Sequence, residues 1–357
     1  MPKLEKESLR PKRSIKKIAL IIGFIILNVI VIIATATSEF GNSKEAAELS
    51  EVKINWWLIL PALGCFILAT LANVYKYVAT MRSAYKDKAP ACKKIWRDSW
   101  RVVMLGKYYD NITPAAVGGQ PFQVYYMLKN TDLPHGDSAS IPLIGMISTQ
   151  IGFLVIAIPC FIFGGLASEN PTLLLMASVG LLFYAFWPIM VAGTTYFPKA
   201  TAKFLNFFVK FLALIKVVKN REKALLKVEK EVSSYSEAVK EASRHGKLLI
   251  KLLLLSLIFE FLILSIPYFV LTAFGGEVGF VECFITTAAV TSAVYFVPTP
   301  GNSGAAEGTF FVVFSALSTG YIFWAMLFWR FFSYYIYIII GALIYLRLYV
   351  KRRKTNN

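Results

Sequence analysis

Histidine and cysteine are scarce in this chain, and the few present form no site. Two histidines, His135 and His245, stand with four cysteines, Cys65, Cys92, Cys160 and Cys283, and no two cysteines have C-x-x-C spacing. A structural zinc needs clustered Cys and His ligands, so no metal is expected. Three of the cysteines lie in apolar stretches, where a thiol packs as a small hydrophobe. Enzyme motifs are missing too: there is no G-x-S-x-G, no H-E-x-x-H and no P-loop. Without them a hydrolase is not expected, nor is any cofactor. A membrane-embedded transferase that needs only a carboxylate and an arginine stays open. Acidic residues are few, 21 against 38 Lys and Arg, for a net charge of +17. In a soluble protein that excess would suggest nucleic acid. No nucleic-acid-binding motif accompanies it here, so no such partner is expected.

Apolar residues are abundant. The chain is 57% hydrophobic and 15% aromatic, with a mean hydropathy of +0.58. Runs at 18–35, 56–75, 141–165 and 248–274 meet or approach the roughly 20 apolar residues that a spanning helix requires. The basic residues gather in tails and loops beside these runs, which is the positive-inside pattern. Lys3, Lys6, Arg10, Lys12, Arg13, Lys16 and Lys17 put the N-terminus in the cytoplasm. Glu39, Glu45, Glu48 and Glu51 put the next loop outside. The first run ends at Ala34-Thr35-Ala36 like a signal peptide, but at about 18 residues it is long for one. It reads as a retained span.

Two short stretches break this pattern. One is Asn111-Ile-Thr-Pro-Ala-Ala-Val-Gly-Gly-Gln-Pro121; the other is Phe296-Val-Pro-Thr-Pro-Gly-Asn-Ser-Gly-Ala-Ala-Glu307. Pro114 removes a donor and restricts Thr113, while Gly118 and Gly119 permit unusual dihedrals. The helix 120–129 that follows has about ten residues and covers about 15 Å, half a bilayer core. We therefore expect re-entrant hairpins at 96–130, from the cytoplasm, and at 280–319, from outside. For the second, charge counting leaves a double crossing open. The alternative for the first is a loop lying flat at the interface. Broken backbone at membrane depth is tolerated only inside protein or beside a water-filled cavity. Paired breaks in the two halves of a chain point to a transport site.

The predicted order is a basic tail at 1–17, a first membrane half at 18–196, an insertion at 197–246, a second half at 247–350 and a basic tail at 351–357. The spans fall near 18–35, 54–80, 138–165, 171–194, 247–274 and 321–349. The fold class is thus an all-α polytopic membrane protein, with about six full spans and two opposed hairpins in inverted repeats. The insertion is cytoplasmic by charge. Lys199, Lys203, Asn206 and Lys210 share one helical face opposite Phe204, Phe207, Phe208, Phe211 and Ile215, as in a helix lying in the lipid interface.

Ionisable residues within spans are functional candidates. Lys107 and Asp110 precede the first break, Glu260 lies mid-way along the fifth span, Glu307 closes the second break and Arg330 lies inside the last span. Glu307 with Arg330 is the expected pair, either as a structural bridge or at the ligand site. Glu260 is open to protonation or to pairing with Arg330. Lys76 is expected to snorkel to the interface. Helices restarting near Gly119 and Ala305 would offer free N–H groups to a phosphate. Thr113, Gln120 and Gln123, with Thr299, Pro300, Gly301, Asn302, Ser303 and Gly304, would add polar and backbone contacts.

With Thr113-Pro114 followed by Gly118-Gly119, and Pro298-Thr-Pro-Gly301 followed by Gly304 and Glu307, the chain resembles the membrane domain of the lysylphosphatidylglycerol synthase/flippase (MprF-type) family over roughly residues 12–350. The resemblance implies a multi-pass bacterial plasma-membrane protein with both termini cytoplasmic. It also implies a phospholipid cargo, with aminoacylated phosphatidylglycerol the best known, and a role in cationic peptide resistance. Membrane phospholipids would be its partners, with a second copy of the chain another candidate. Full-length relatives add a soluble domain that transfers lysine to the lipid. The sequence ends at Asn357 without one, so aminoacyl transfer is not expected. Many relatives carry an arginine where this chain has Gln123, and Gly-Gly where it has Gly301-Asn302. The function implied is a phospholipid translocase. A lipid-modifying transferase and a non-transporting scaffold are the alternatives.

Overall fold

The computed structural model describes residues 54–85, 88–113, 118–164, 171–197, a few residues between 199 and 207, 246–318 and 321–355. The first predicted span, the acidic loop after it, the turn at 165–170 and most of the 197–246 insertion lie outside the described residues. The elements are α1 (Trp56–Tyr85), α2 (Cys92–Ile112), α3 (Gly119–Asn130), α4 (His135–Phe163), α5 (Pro171–Tyr196), α6 (Gly246–Ala273), α7 (Phe280–Val294), α8 (Ala305–Leu317), α9 (Ile322–Arg330) and α10 (Ile336–Thr355). A π-helical segment, Phe331–Tyr335, joins the last two. Among the described residues there is no strand. Helices α1, α4, α5, α6 and the composite Ile322–Val350 are long and apolar enough to cross a membrane. The protein is a polytopic all-α membrane protein.

Helices α1 and α6 pack antiparallel. Asn55 N–H donates to the Ala273 carbonyl at 2.9 Å, and far along the same pair Lys76 reaches Ser256 at 3.1 Å. The start of the last span joins this end, where Tyr321 N–H donates to the Phe274 carbonyl at 3.2 Å. Helix α2 therefore begins at the opposite end, after α1 has run its length. It stops at Thr113 because the residue before Pro114 is held extended (φ −112°, ψ 144°). Its return arm α3 runs back alongside it. Asp110 meets Gly119 at the tip, and Tyr126 donates to Asp98 at 3.1 Å farther back. Lys94 pairs with Asp132 at 2.7 Å at the base. Segment α2–α3 thus returns to the end it left.

Segment α7–α8 also returns to its starting end, since Ser318 at its close lies against Gly276 at its opening. That end is the one shared by Asn55 and Tyr321. The two hairpins therefore enter the bundle from opposite ends. Their tips meet. Asn111 Nδ2 donates to the Tyr334 carbonyl at 3.2 Å, and the Tyr334 hydroxyl donates to the Asn111 carbonyl at 3.3 Å. A Cβ on Gly301 would strike the Tyr334 ring and lie 3.1 Å from that same carbonyl. Tyr334 stands near the middle of Ile322–Val350, so both tips lie half-way along a span.

Helices α5 and α7 cross with backbone against backbone at Gly180, where an added Cβ would fall on the Ser292 carbonyl. Helix propensity favours Ala over Gly by about 1 kcal/mol, but overpacking costs about 1–3 kcal/mol. We expect Gly180→Ala to lower the unfolding temperature in detergent. An unchanged or higher temperature would mean that the helices are not so close.

Candidate functional site

The first tip is closed by its own side chains. Thr113 Oγ1 donates to the Tyr109 carbonyl at 2.7 Å and accepts Gly118 N–H at 2.9 Å. Asp110 Oδ1 accepts Gly119 N–H at 2.9 Å, capping α3. Gln123, one turn into α3, donates from Nε2 to the Val102 carbonyl at 3.1 Å and accepts the Tyr77 hydroxyl at 3.3 Å. Its amide lies over Gly106, where any Cβ would displace it. Pro114 lies outside the described residues.

The second tip is built from left-handed backbone: Gly301 (φ 57°), Asn302 (φ 56°) and Gly304 (φ 88°). Such angles suit glycine, and asparagine tolerates them better than most residues. Thr299 and Pro300 lead into this turn, which packs against α2. The expected pair is present here. Arg330 Nε donates to Glu307 Oε1 at 2.6 Å, with the two residues only 5% and 2% exposed. Further groups of the pair are also used. Glu307 Oε2 accepts Gly304 N–H at 2.7 Å; an Arg330 Nη donates to the Gly301 carbonyl at 3.2 Å and to Ser303 Oγ at 3.4 Å. The Arg330 guanidinium also lies 4.5 Å from the centre of the Tyr334 ring.

A cavity of about 160 Å³ lies beside the first tip. Lys107, Asp110, Gln120 and Gln123 of the first hairpin line it, with Tyr295 from the end of α7. Asn73 and Tyr77 of α1, Gly145, Thr149 and Gln150 of α4, and Phe259 and Glu260 of α6 complete much of the wall. Lys107 Nζ is 5.7 Å from the centre of the Phe259 ring. Glu260 is buried, yet among the described residues no ion pair within 4.0 Å joins it to Lys107 or Lys76. Gln150 is buried too. It donates to the Tyr295 hydroxyl at 3.0 Å, while its Oε1 has no partner among the described residues. The arrangement brings together one ammonium and two carboxylates, of which Asp110 is engaged at the tip and Glu260 is not, with several amide groups. Glu307 and Arg330 do not line this cavity.

One expectation is narrowed and another needs correction. The N–H groups of Gly118, Gly119 and Gly304 are not free for a ligand, because Thr113, Asp110 and Glu307 already accept them. Lys76 does not reach the interface. Helix α1 continues nine residues beyond it, to Tyr85, about 13 Å at 1.5 Å per residue. The side chain is 0% exposed. Its ammonium donates to the Gly145 carbonyl, Thr149 Oγ1 and Ser256 Oγ. Asn73, Tyr77, Thr149, Gln150 and Tyr295 also escaped the sequence reading. Each is an ordinary residue for an apolar helix, and only their convergence on one space marks them.

Fold and site together define a polytopic all-α membrane protein in which two broken-helix hairpins meet beside a polar cavity. The chain belongs to the family described as the lysylphosphatidylglycerol synthase TM region, which matches residues 18–341. No curated protein and no solved structure matches it.

Proposed function

We propose that this protein is a phospholipid translocase of a bacterial plasma membrane, with both termini cytoplasmic. The observation that carries this reading is the cavity walled by the broken tip of one hairpin and by Tyr295, where the first arm of the other ends at its tip. The hairpins re-enter the bilayer from opposite faces, and their tips meet near its midplane. A head group occupies the cavity while the acyl chains stay in lipid. Lys107 holds the phosphate, Gln120 and Gln123 add hydrogen bonds, and Glu260 faces a cationic substituent such as an aminoacyl group. Asp110 acts by fixing the start of α3. Thr299 to Gly304, with Glu307 and Arg330, hold the second tip in place rather than touch the lipid. Burying a polar head group is costly unless it finds partners, and this wall supplies donors and acceptors of both kinds.

The test is transbilayer movement of fluorescent phosphatidylglycerol, plain and aminoacylated, in vesicles holding the purified protein. Protein-dependent movement is expected. Its absence for both lipids would overturn the proposal. Lys107→Gln is expected to slow movement about tenfold or more, since a hydrogen bond to a charged group is worth about 1.5–3 kcal/mol.

A further inference from the structure

We infer that Lys76 is a buried cation that makes the cavity select a phosphate-bearing head group over a neutral one. The inference rests on the head-group reading above and deepens it. The protons of its neighbours can be counted. Ser256 Oγ donates to the Leu252 carbonyl at 2.8 Å, and Thr149 Oγ1 donates to the Gly145 carbonyl at 2.9 Å. With both hydroxyls directed at carbonyls, each oxygen is left to accept from Lys76. The third partner, the Gly145 carbonyl, can only accept. Three acceptors require three donors, which the ammonium has and a neutral amine lacks.

That charge has no carboxylate within 4.0 Å among the described residues. It lies one residue behind the cavity wall, because Gly145 and Thr149 are both its own partners and part of the lining. Lys76 and Lys107 each place Nζ 5.7 Å from the centre of the same Phe259 ring, so two like charges converge there. Asp110 and Glu260 put two carboxylates on the same wall as the one ammonium of Lys107, and neither forms an ion pair with a lysine within 4.0 Å among the described residues, so Lys76 supplies the second cation that offsets them. An anion entering this space is attracted by both ammonium groups at low dielectric, where a unit charge several ångströms away is worth at least about a factor of ten in affinity. Lys107 lines the space and can touch the anion. Lys76 acts through its field alone, as a specificity-determining residue.

The experiment reads binding rather than transport. Purified protein in neutral detergent is titrated with dioleoyl phosphatidylglycerol and with a neutral glucosyl diacylglycerol, and the midpoints for thermal stabilisation are compared. The wild type is expected to prefer phosphatidylglycerol. Lys76→Gln is expected to reduce that preference about tenfold. Ser256→Asp should do the same while keeping the lysine, because its carboxylate would pair with Lys76 from the side away from the cavity. A wild type without preference, or a folded variant of either kind that retains it, would overturn the inference. Vesicles that move no lipid, alongside protein that still prefers phosphatidylglycerol, would count against the translocase and leave this selectivity standing.

Discussion

Arg330→Met is expected to destabilise the protein by about 3–5 kcal/mol, the usual cost of removing one partner from a buried ion pair. The size follows from what would be left behind. Glu307 is 2% exposed, and its Oε1 would lose its ion-pair partner. The Gly301 carbonyl and Ser303 Oγ would lose their donor at the same time. Arg330→Lys should recover little. The native side chain donates to Glu307 from Nε and to the second tip from an Nη, and one ammonium cannot span both places. The double variant Glu307→Gln with Arg330→Met should recover part of the loss, because it leaves no unpaired charge. Thermal unfolding in detergent measures all three. If Arg330→Met melts like the wild type, the pair does not hold the hairpin, and Arg330 becomes available to a ligand.

Gly301→Val is expected to abolish lipid movement and to lower the unfolding temperature sharply. Two effects add. The residue has φ 57°, a region that costs a side chain with a Cβ about 1–2 kcal/mol. The new side chain would also occupy the place of the Tyr334 ring and press on the Asn111 carbonyl. That contact is where the two tips touch, so separating them should open the polar region to the rest of the bundle. Gly275→Val supplies the control. Its φ is 80°, but a Cβ there meets nothing within 4 Å. It carries the conformational cost without moving the tips, and lipid movement should survive. Equal losses in the two variants would show that backbone strain, not tip contact, matters.

Much of the fold is legible in the sequence because bilayer-length apolar runs and proline–glycine breaks leave plain marks. The second and fifth predicted spans, 54–80 and 247–274, correspond to α1 and α6 with ends shifted by a few residues. The restarts near Gly119 and Ala305 are helix starts. The pairing of Glu307 with Arg330 is legible because a buried charge demands a partner, and the apolar segments around them offer few. Lys76 is harder to place, because its depth depends on where α1 ends. The helix runs on past it, with Arg82 in the last turn, so the basic stretch at the membrane boundary begins there and not at Lys76. Its acceptors sit on two other helices, at Gly145, Thr149 and Ser256, and no sequence spacing reveals which helices will touch. The π-helical turn at Phe331–Tyr335 leaves no mark either. It follows Arg330 directly and carries Tyr334, whose carbonyl and hydroxyl both engage Asn111. π-turns often occur at functional sites, but nothing in an aromatic run such as Phe331-Phe-Ser-Tyr-Tyr335 announces one.

The claim on which the rest depends is that a lipid head group enters the cavity beside the first tip. A phospholipid carrying a photoreactive group on its head, activated in vesicles with the intact protein and followed by peptide mapping, tests it most directly. Labels on the cavity wall, at 103–123, 145–150 and 259–260, are the predicted result. Labels confined to the helix ends and basic tails, with none on those segments, would contradict it.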